Sequence, residues 1–312
     1  MTKKAIIAGV GVILLGGLAA AGVLLNRGDE LRTLRGHTGA VRAVAFAPDG
    51  TLVSAGDDGT VRIWSADSYR LTTTIDAHAR PIRGLAVAAG LLASASEDRD
   101  VKLWATDGSA RGTLSGCAKA AECVAFAGDG RTVVAGGADK LLHAWELHGK
   151  PAGTWKGHGK HVHAVAAHGK RFASGGTDGT IHLWEAGKCV STFKIAGGHI
   201  NSIAFAPDGK RLAVGGSGSG LHLFDVATGR ETTVNGPTGL TMGVAFAPDG
   251  ALLATSHEDG RVRIWDAAAM TLLADYAGHR GPVPAVAFAP TGTRLASAGG
   301  DGTVKIWAVP AH

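Results

Sequence analysis

The chain has 312 residues, 48 of them glycine, and a formal net charge of +5. That charge is too mild to imply a nucleic-acid partner, and neither a Lys/Arg run nor a stripe of basic and aromatic residues supports one. So much glycine suits a protein that turns about every ten positions.

Met1-Thr2-Lys3-Lys4 precedes Ala5 to Leu25, AIIAGVGVILLGGLAAAGVLL, a run without a single charge. As a helix rising about 1.5 Å per residue, it is just long enough to cross a hydrocarbon core of about 30 Å. A membrane anchor over residues 5–25, within an N-terminal region 1–28, is therefore expected. Lys3, Lys4 and the amino terminus outweigh Arg27, which places the N-terminus in the cytoplasm and the rest of the chain on the extracytoplasmic side. A cleavable signal peptide is the alternative, with Lys3-Lys4 as its basic start and Ala19-Ala20-Ala21 as its small-residue cleavage site; the mature chain would then be periplasmic or secreted. The apolar run continues through Val23-Leu24-Leu25 beyond that site, which favours the anchor. A buried soluble helix fits poorly, because the segment has no polar face.

After Glu30 to Arg35 comes the stretch that organises everything else, Gly36 to Trp64, GHTGAVRAVAFAPDGTLVSAGDDGTVRIW. An apolar run, Val41 to Ala47, reverses at Pro48-Asp49-Gly50, where Pro presets the turn and Gly accepts positive φ. A second run, Leu52 to Ala55, turns at Asp57-Asp58-Gly59 into a third, Thr60 to Trp64, rich in β-branched and aromatic residues. Three antiparallel strands are predicted. Their apolar residues do not alternate cleanly with polar ones, so both faces of the sheet are expected to be covered.

The closing aromatic returns as Trp104, Trp145, Trp184, Phe224, Trp265 and Trp307, at spacings of 39 to 42 residues. That is the period of a four-stranded propeller blade. Six of the seven tryptophans lie on the repeat, and the seventh is Trp155. With its Gly-His dipeptide, strand Ser or Thr, turn Asp and closing Trp, the sequence resembles the WD-repeat (WD40) β-propeller family over nearly everything after residue 30. The resemblance implies an all-β, seven-bladed propeller of four-stranded antiparallel blades, spanning 29–312. Only AVPAH follows Trp307, too little for a fourth strand, so the strand at 30–35 is expected to complete the last blade and remove the open edges.

Aligned on the closing aromatic, blade one carries His37, Ser54, Asp58 and Trp64; blade two carries His78, Ser94, Asp98 and Trp104. Blade four carries His158, Ser174, Asp178 and Trp184; blade seven carries His279, Ser297, Asp301 and Trp307. Blade six keeps Thr255, Asp259 and Trp265 but has Pro237 at the His position, and blade three replaces His and Ser with Cys117 and Ala135 while keeping Asp139 and Trp145. Blade five has lost all four members, reading Ala196, Val214, Gly218 and Phe224. By resemblance the intact sets are internal hydrogen-bond networks, so blades three, five and six are expected to be less tightly fastened, blade five least.

Ser, His and Asp together suggest a nucleophilic triad, but an enzyme needs one such set and this chain repeats it at matching offsets, with no nucleophile-elbow sequence around any Ser. A structural role is expected, with no catalytic residue and no cofactor. His161 and His163 stand two apart at a strand entrance and, with His199 from the next blade, can approach one metal ion, although no carboxylate is evident nearby. Cys117 and Cys123 flank a short loop, where a disulfide can replace the lost network if the domain is exported. Cys189 has no partner by sequence.

The loop ring at one end of the propeller remains. Its strand-entrance positions give Arg42 and Arg83, set beside Asp57 and Glu97, and on the far side Leu240, Met242 and prolines. A charged arc beside an apolar one suits a protein or peptide ligand rather than a small-molecule substrate. The expectation is a membrane-tethered, non-catalytic binding platform. A metal-dependent or enzymatic propeller using the His-rich blades four and five is the alternative.

Overall fold

The structure is a computed structural model that describes residues 30–88, 90–196, 198–217, 220–234 and 239–311. The apolar segment 5–25, with Lys3, Lys4 and Arg27, lies outside them, as do Gly218 and Pro237. Among the described residues no helix is long and apolar enough to cross a membrane.

The described chain forms seven four-stranded antiparallel sheets. Blade one is built from Val41–Phe46, Leu52–Gly56, Thr60–Trp64 and Leu71–Asp76, from the innermost strand outward. Its first turn behaves as its residues require. Gly50 takes φ 87° and donates its N–H to the Ala47 carbonyl, while the Thr51 N–H is held by the Asp49 carboxylate. At the second turn Gly59 has φ 72°, and a Cβ there would lie 2.3 Å from the His78 carbonyl oxygen of the next blade. Only glycine fits that approach.

Blades two to six repeat this order, and blade seven joins Ala285–Phe288, Arg294–Ala298 and Val304–Ala308 to the first strand of the chain, Glu30–Leu34. The register runs from Glu30 opposite Trp307 to Leu34 opposite Val304.

The core is a ring. One apolar cluster fills each interface between adjacent blades; between blades one and two it joins Val61 and Ile63 to Ile82 and Leu92. Between blades seven and one it joins Leu34, Val304 and Ile306 to Val41, Leu52 and Trp64. Each sheet thus buries both faces, which is why its strands lack clean alternation. Trp155, on the outer strand of blade three, stacks on Trp184 of blade four with ring centroids 5.7 Å apart.

Candidate interaction surface at the channel mouth

Four blades carry the same buried chain of side chains. In blade one the Trp64 indole N–H donates to Ser54 Oγ at 2.9 Å, Ser54 Oγ lies 2.9 Å from His37 Nε2, and His37 Nδ1 lies 2.9 Å from Asp58 Oδ2. Because Ser54 accepts from tryptophan, its own proton goes to Nε2, leaving Nδ1–H to donate to the carboxylate. Asp58 also accepts the N–H of Thr38 and of Thr60, so a turn and a loop are tied to two strands. Ser94 joins His78 and Trp104 in blade two, with Asp98 on His78 at 2.7 Å. Ser174 joins His158 and Trp184 in blade four, with Asp178 on His158 at 3.3 Å. Ser297 joins His279 and Trp307 in blade seven, with Asp301 on His279 at 3.2 Å.

Burial pushes all four histidines below their ordinary value, with the aspartates only partly opposing it. Burial works to raise Asp301, but Thr303, the Arg280 N–H and His279 outweigh it and hold its carboxyl down to about 2. Neutral imidazole and ionised carboxylate are thus the native states.

The other blades fasten themselves with residues that the pattern does not mark. In blade three His143 Nε2 reaches Asp139 at 2.8 Å, and Trp145 donates to the Ser115 carbonyl. In blade six Trp265 donates to Thr255 Oγ1, His257 Nε2 lies 2.8 Å from the same hydroxyl, and Arg263 donates to Asp259. In blade five His222 meets Glu231 at 2.7 Å, and Phe224 stacks on Phe193. Blades three and six therefore keep polar networks in altered form. A signal exists in the sequence: Arg62, Lys102, His143, His182, His222, Arg263 and Lys305 all stand two residues before a closing aromatic.

Six innermost strands carry a register irregularity at their second residue, which is Arg42, Arg83, Glu122, His163, Asn201 or Met242. A bulge re-aims one side chain and leaves the rest of the strand in register. In blade seven Pro284 occupies the corresponding place, just before the strand begins. These seven residues line the mouth of the central channel, where a cavity of about 350 Å³ opens.

On one side of the mouth the charges form a chain. Arg42 donates to both carboxylate oxygens of Asp57, at 2.8 and 2.6 Å, and Arg83 lies 3.6 Å from Asp57 while bonding Glu97 through Nε at 2.8 Å. On the other side Met242 and Pro284 line the mouth, and Met242, like Leu240 just before its strand, is half-buried, so the apolar arc is a shallow wall rather than a projecting patch. Among the described residues the exposed large apolar side chains, Leu31, Leu71, Val190 and Leu273, sit on outer strands instead.

Two sequence expectations are corrected. His199 does not join His161 and His163, because its Nδ1 is held by the Thr177 carbonyl at 2.9 Å. A carboxylate takes that place: Glu122, from the inner strand of blade three, lies 3.2 Å from His161 Nδ1 and 2.5 Å from His163 Nδ1. Cys117 and Cys123 are free thiols. They face opposite sides of blade three, Cys117 packing at the interface with blade two and Cys123 at the interface with blade four, against the Gly136 and Val162 carbonyls. Burial pushes the Cys117 thiol up to about 12 and raises Cys123 as well, so neither ionises readily.

The comparisons with known proteins agree with this geometry. The family model described as WD domain, G-beta repeat matches seven times, at 28–65, 69–105, 108–146, 149–185, 187–225, 230–266 and 270–308. Nuclear distribution protein PAC1-2 of Uncinocarpus reesii is 32% identical over 211 residues, covering 54% of this chain and 45% of that protein. Pre-mRNA-processing factor 19 homolog 2 of Arabidopsis thaliana is 30% identical over 63% of this chain and 40% of that protein. The guanine nucleotide-binding protein subunit beta of Oryza sativa subsp. indica is 27% identical over 65% of this chain and 60% of that protein. The chain thus spans about half the length of these relatives. With seven matched repeats forming seven blades, the chain belongs to the WD-repeat family.

Proposed function

We propose that this chain is a membrane-tethered, non-catalytic WD-repeat scaffold that binds one or more proteins at its channel mouth on the extracytoplasmic side. The observation that carries the binding role is the ion-pair chain from Arg42 through Asp57 and Arg83 to Glu97. It holds two guanidinium groups in place while leaving 31% and 33% of their side chains exposed. Charge already ordered before binding loses little entropy when a partner arrives, and it selects partners by complementarity. The apolar wall of Leu240 and Met242 across the mouth supplies area without charge. The rice relative is by its name one subunit of an assembly, which supports a protein partner here.

The tether rests on the uncharged segment 5–25 and its flanking lysines. Few residues separate that segment from Glu30, on the outer strand of blade seven, so the propeller would hang from its rim with the mouth free.

The test is crosslinking and affinity capture of the intact chain from solubilised membranes, beside a variant carrying Arg42→Glu, Arg83→Glu, Leu240→Asp and Met242→Lys. Partners lost from a folded variant support the reading. The same partners retained would place binding elsewhere. Mass analysis of the N-terminal peptide decides between the retained anchor and the cleaved alternative.

A further inference from the structure

We propose that Glu122, His161 and His163 bind one divalent transition-metal ion of the zinc class, joining blade three to blade four at the channel mouth. The site is independent of the tether and of any protein partner.

Two adjacent inner strands create it. Glu122 and His163 occupy equivalent irregularities at the starts of these strands, which turn both toward the mouth, and His161 precedes His163 by two residues on the same approach. One donor atom from each residue lies within 4.8 Å of the other two.

The contact between Glu122 and His163 is close without being an ordinary hydrogen bond. Oε2 is buried and lies 2.5 Å from Nδ1 as an ion-pair contact, with no hydrogen bond of ordinary geometry to any group. A carboxylate oxygen taken from water without an ordinary hydrogen bond is costly, so one is rarely kept without a reason. A cation held between that oxygen and the imidazole nitrogens satisfies all of them together.

The donor set names the class of ion. Two imidazoles and one carboxylate form the three-ligand arrangement of zinc that leaves a coordination position open, whereas magnesium and calcium prefer oxygen alone. With metal–ligand distances of about 2.0–2.2 Å, tetrahedral donors stand roughly 3.3 Å apart; the Glu122–His161 pair at 3.2 Å already fits, while the Glu122–His163 pair at 2.5 Å must open to admit the ion. His161 is half exposed and free to rotate inward. Nearby histidines do not compete, since His158 is held by Ser174 and Asp178, and His199 by Thr177. The open position faces the cavity that Glu122 and His163 help to line, where water or a partner's donor completes the shell.

The experiment is calorimetric titration of the full chain, stripped with chelator, using Zn²⁺ as probe and Mg²⁺ and Ca²⁺ as controls. One equivalent of Zn²⁺ is expected, with neither control ion taken up. Loss even of an outer-sphere partner typically weakens a metal site by about tenfold or more, so Glu122→Gln, His163→Ala and His161→Ala should each weaken binding at least about tenfold. His161→Ala, at an exposed position, guards against loss of fold. His199→Ala and Cys189→Ser should bind as the parent does. No stoichiometric Zn²⁺ uptake, or unchanged affinity in His161→Ala and Glu122→Gln, overturns the proposal. So does loss of binding in Cys189→Ser, which would move the ion to the Cys189–His182 pair, 3.4 Å apart.

Discussion

Lys305, on the last strand of the chain, donates to the carboxylate of Glu30, on the first, at 2.7 Å across 275 positions. The same ammonium donates to Thr33 at 2.9 Å, and Thr33 in turn donates to Glu30. Burial works to raise the Glu30 carboxyl, but the bonds from Lys305 and Thr33 outweigh it and hold it below the usual range. The ring is therefore closed by a mostly buried polar clasp as well as by strand pairing. Lys305→Met should cost about 1–2 kcal/mol by urea unfolding, because it leaves the partly exposed Glu30 carboxylate with Thr33 alone. An unchanged urea midpoint would mean that backbone pairing alone closes the ring.

Acid should loosen the propeller before its carboxylates titrate. His37, His78, His158 and His279 all have native pKa values below the ordinary 6.5. Between the native and unfolded values the unfolded chain binds more protons, so stability rises with pH there. The contribution is complete above about pH 6.5 and is lost as pH falls from there through the native values. The depressed Asp58, Asp98, Asp178 and Asp301 add a second loss below their ordinary 3.8. Thermal scans should give a midpoint that is level above neutrality and declines on mild acidification; a flat profile down to about pH 5 would contradict neutral native histidines.

Ser174 serves Trp184 and His158 at once, at 2.8 and 2.7 Å. Ser174→Ala leaves a buried indole N–H and a buried imidazole nitrogen without partners and should lower stability by about 1–3 kcal/mol. Chemical denaturation measures this directly, with the fold checked by tryptophan emission from Trp184.

Two ion pairs should differ in their response. Arg263 is 2% exposed and faces Asp275 and Asp259, whereas Arg42 on Asp57 is about a third exposed. Asp275→Ala removes one of the two carboxylates facing a buried guanidinium, which keeps Asp259, and should cost about 1–3 kcal/mol. Arg42→Ala should cost about 1 kcal/mol at most, because water screens that pair. Comparable losses at the two sites would refute this ordering.

Arg99 and Lys140 occupy the turn position held by Gly59 in blade one, with φ of 79° and 71°. A side chain in the left-handed region costs about 1–2 kcal/mol, part of which glycine gives back through the greater freedom of the unfolded chain. Arg99→Gly and Lys140→Gly should each stabilise by about 0.5–1 kcal/mol. A lower unfolding midpoint in either would show that the replaced side chain holds its turn by contacts.

Much of the architecture was legible in the sequence because its signals are local. Turn residues and apolar runs act within a few positions, so the recurrence of Pro-Asp-Gly, Asp-Gly and a closing aromatic was enough to read seven blades of four antiparallel strands. The offsets among His, Ser, Asp and Trp within one unit are local in the same sense. The substitute fastenings were harder to see: His143 and Arg263 each stand four residues after the turn aspartate and two before the closing aromatic, a spacing outside the His, Ser, Asp and Trp pattern, and His222 works through a glutamate on the next strand. Glu122 was missed beside His161 and His163 because it lies some forty residues earlier and meets them only when blade three packs on blade four. Cys117 and Cys123 looked like neighbours along the chain, yet the irregularity between Ala121 and Cys123 and the packing of blade three turn them to opposite interfaces. Alternation along a strand sets which side chains share a face, so the sequence by itself determined the blades. Which neighbour that face meets depends on every blade taking its place in a closed ring, and that only the tertiary structure decided.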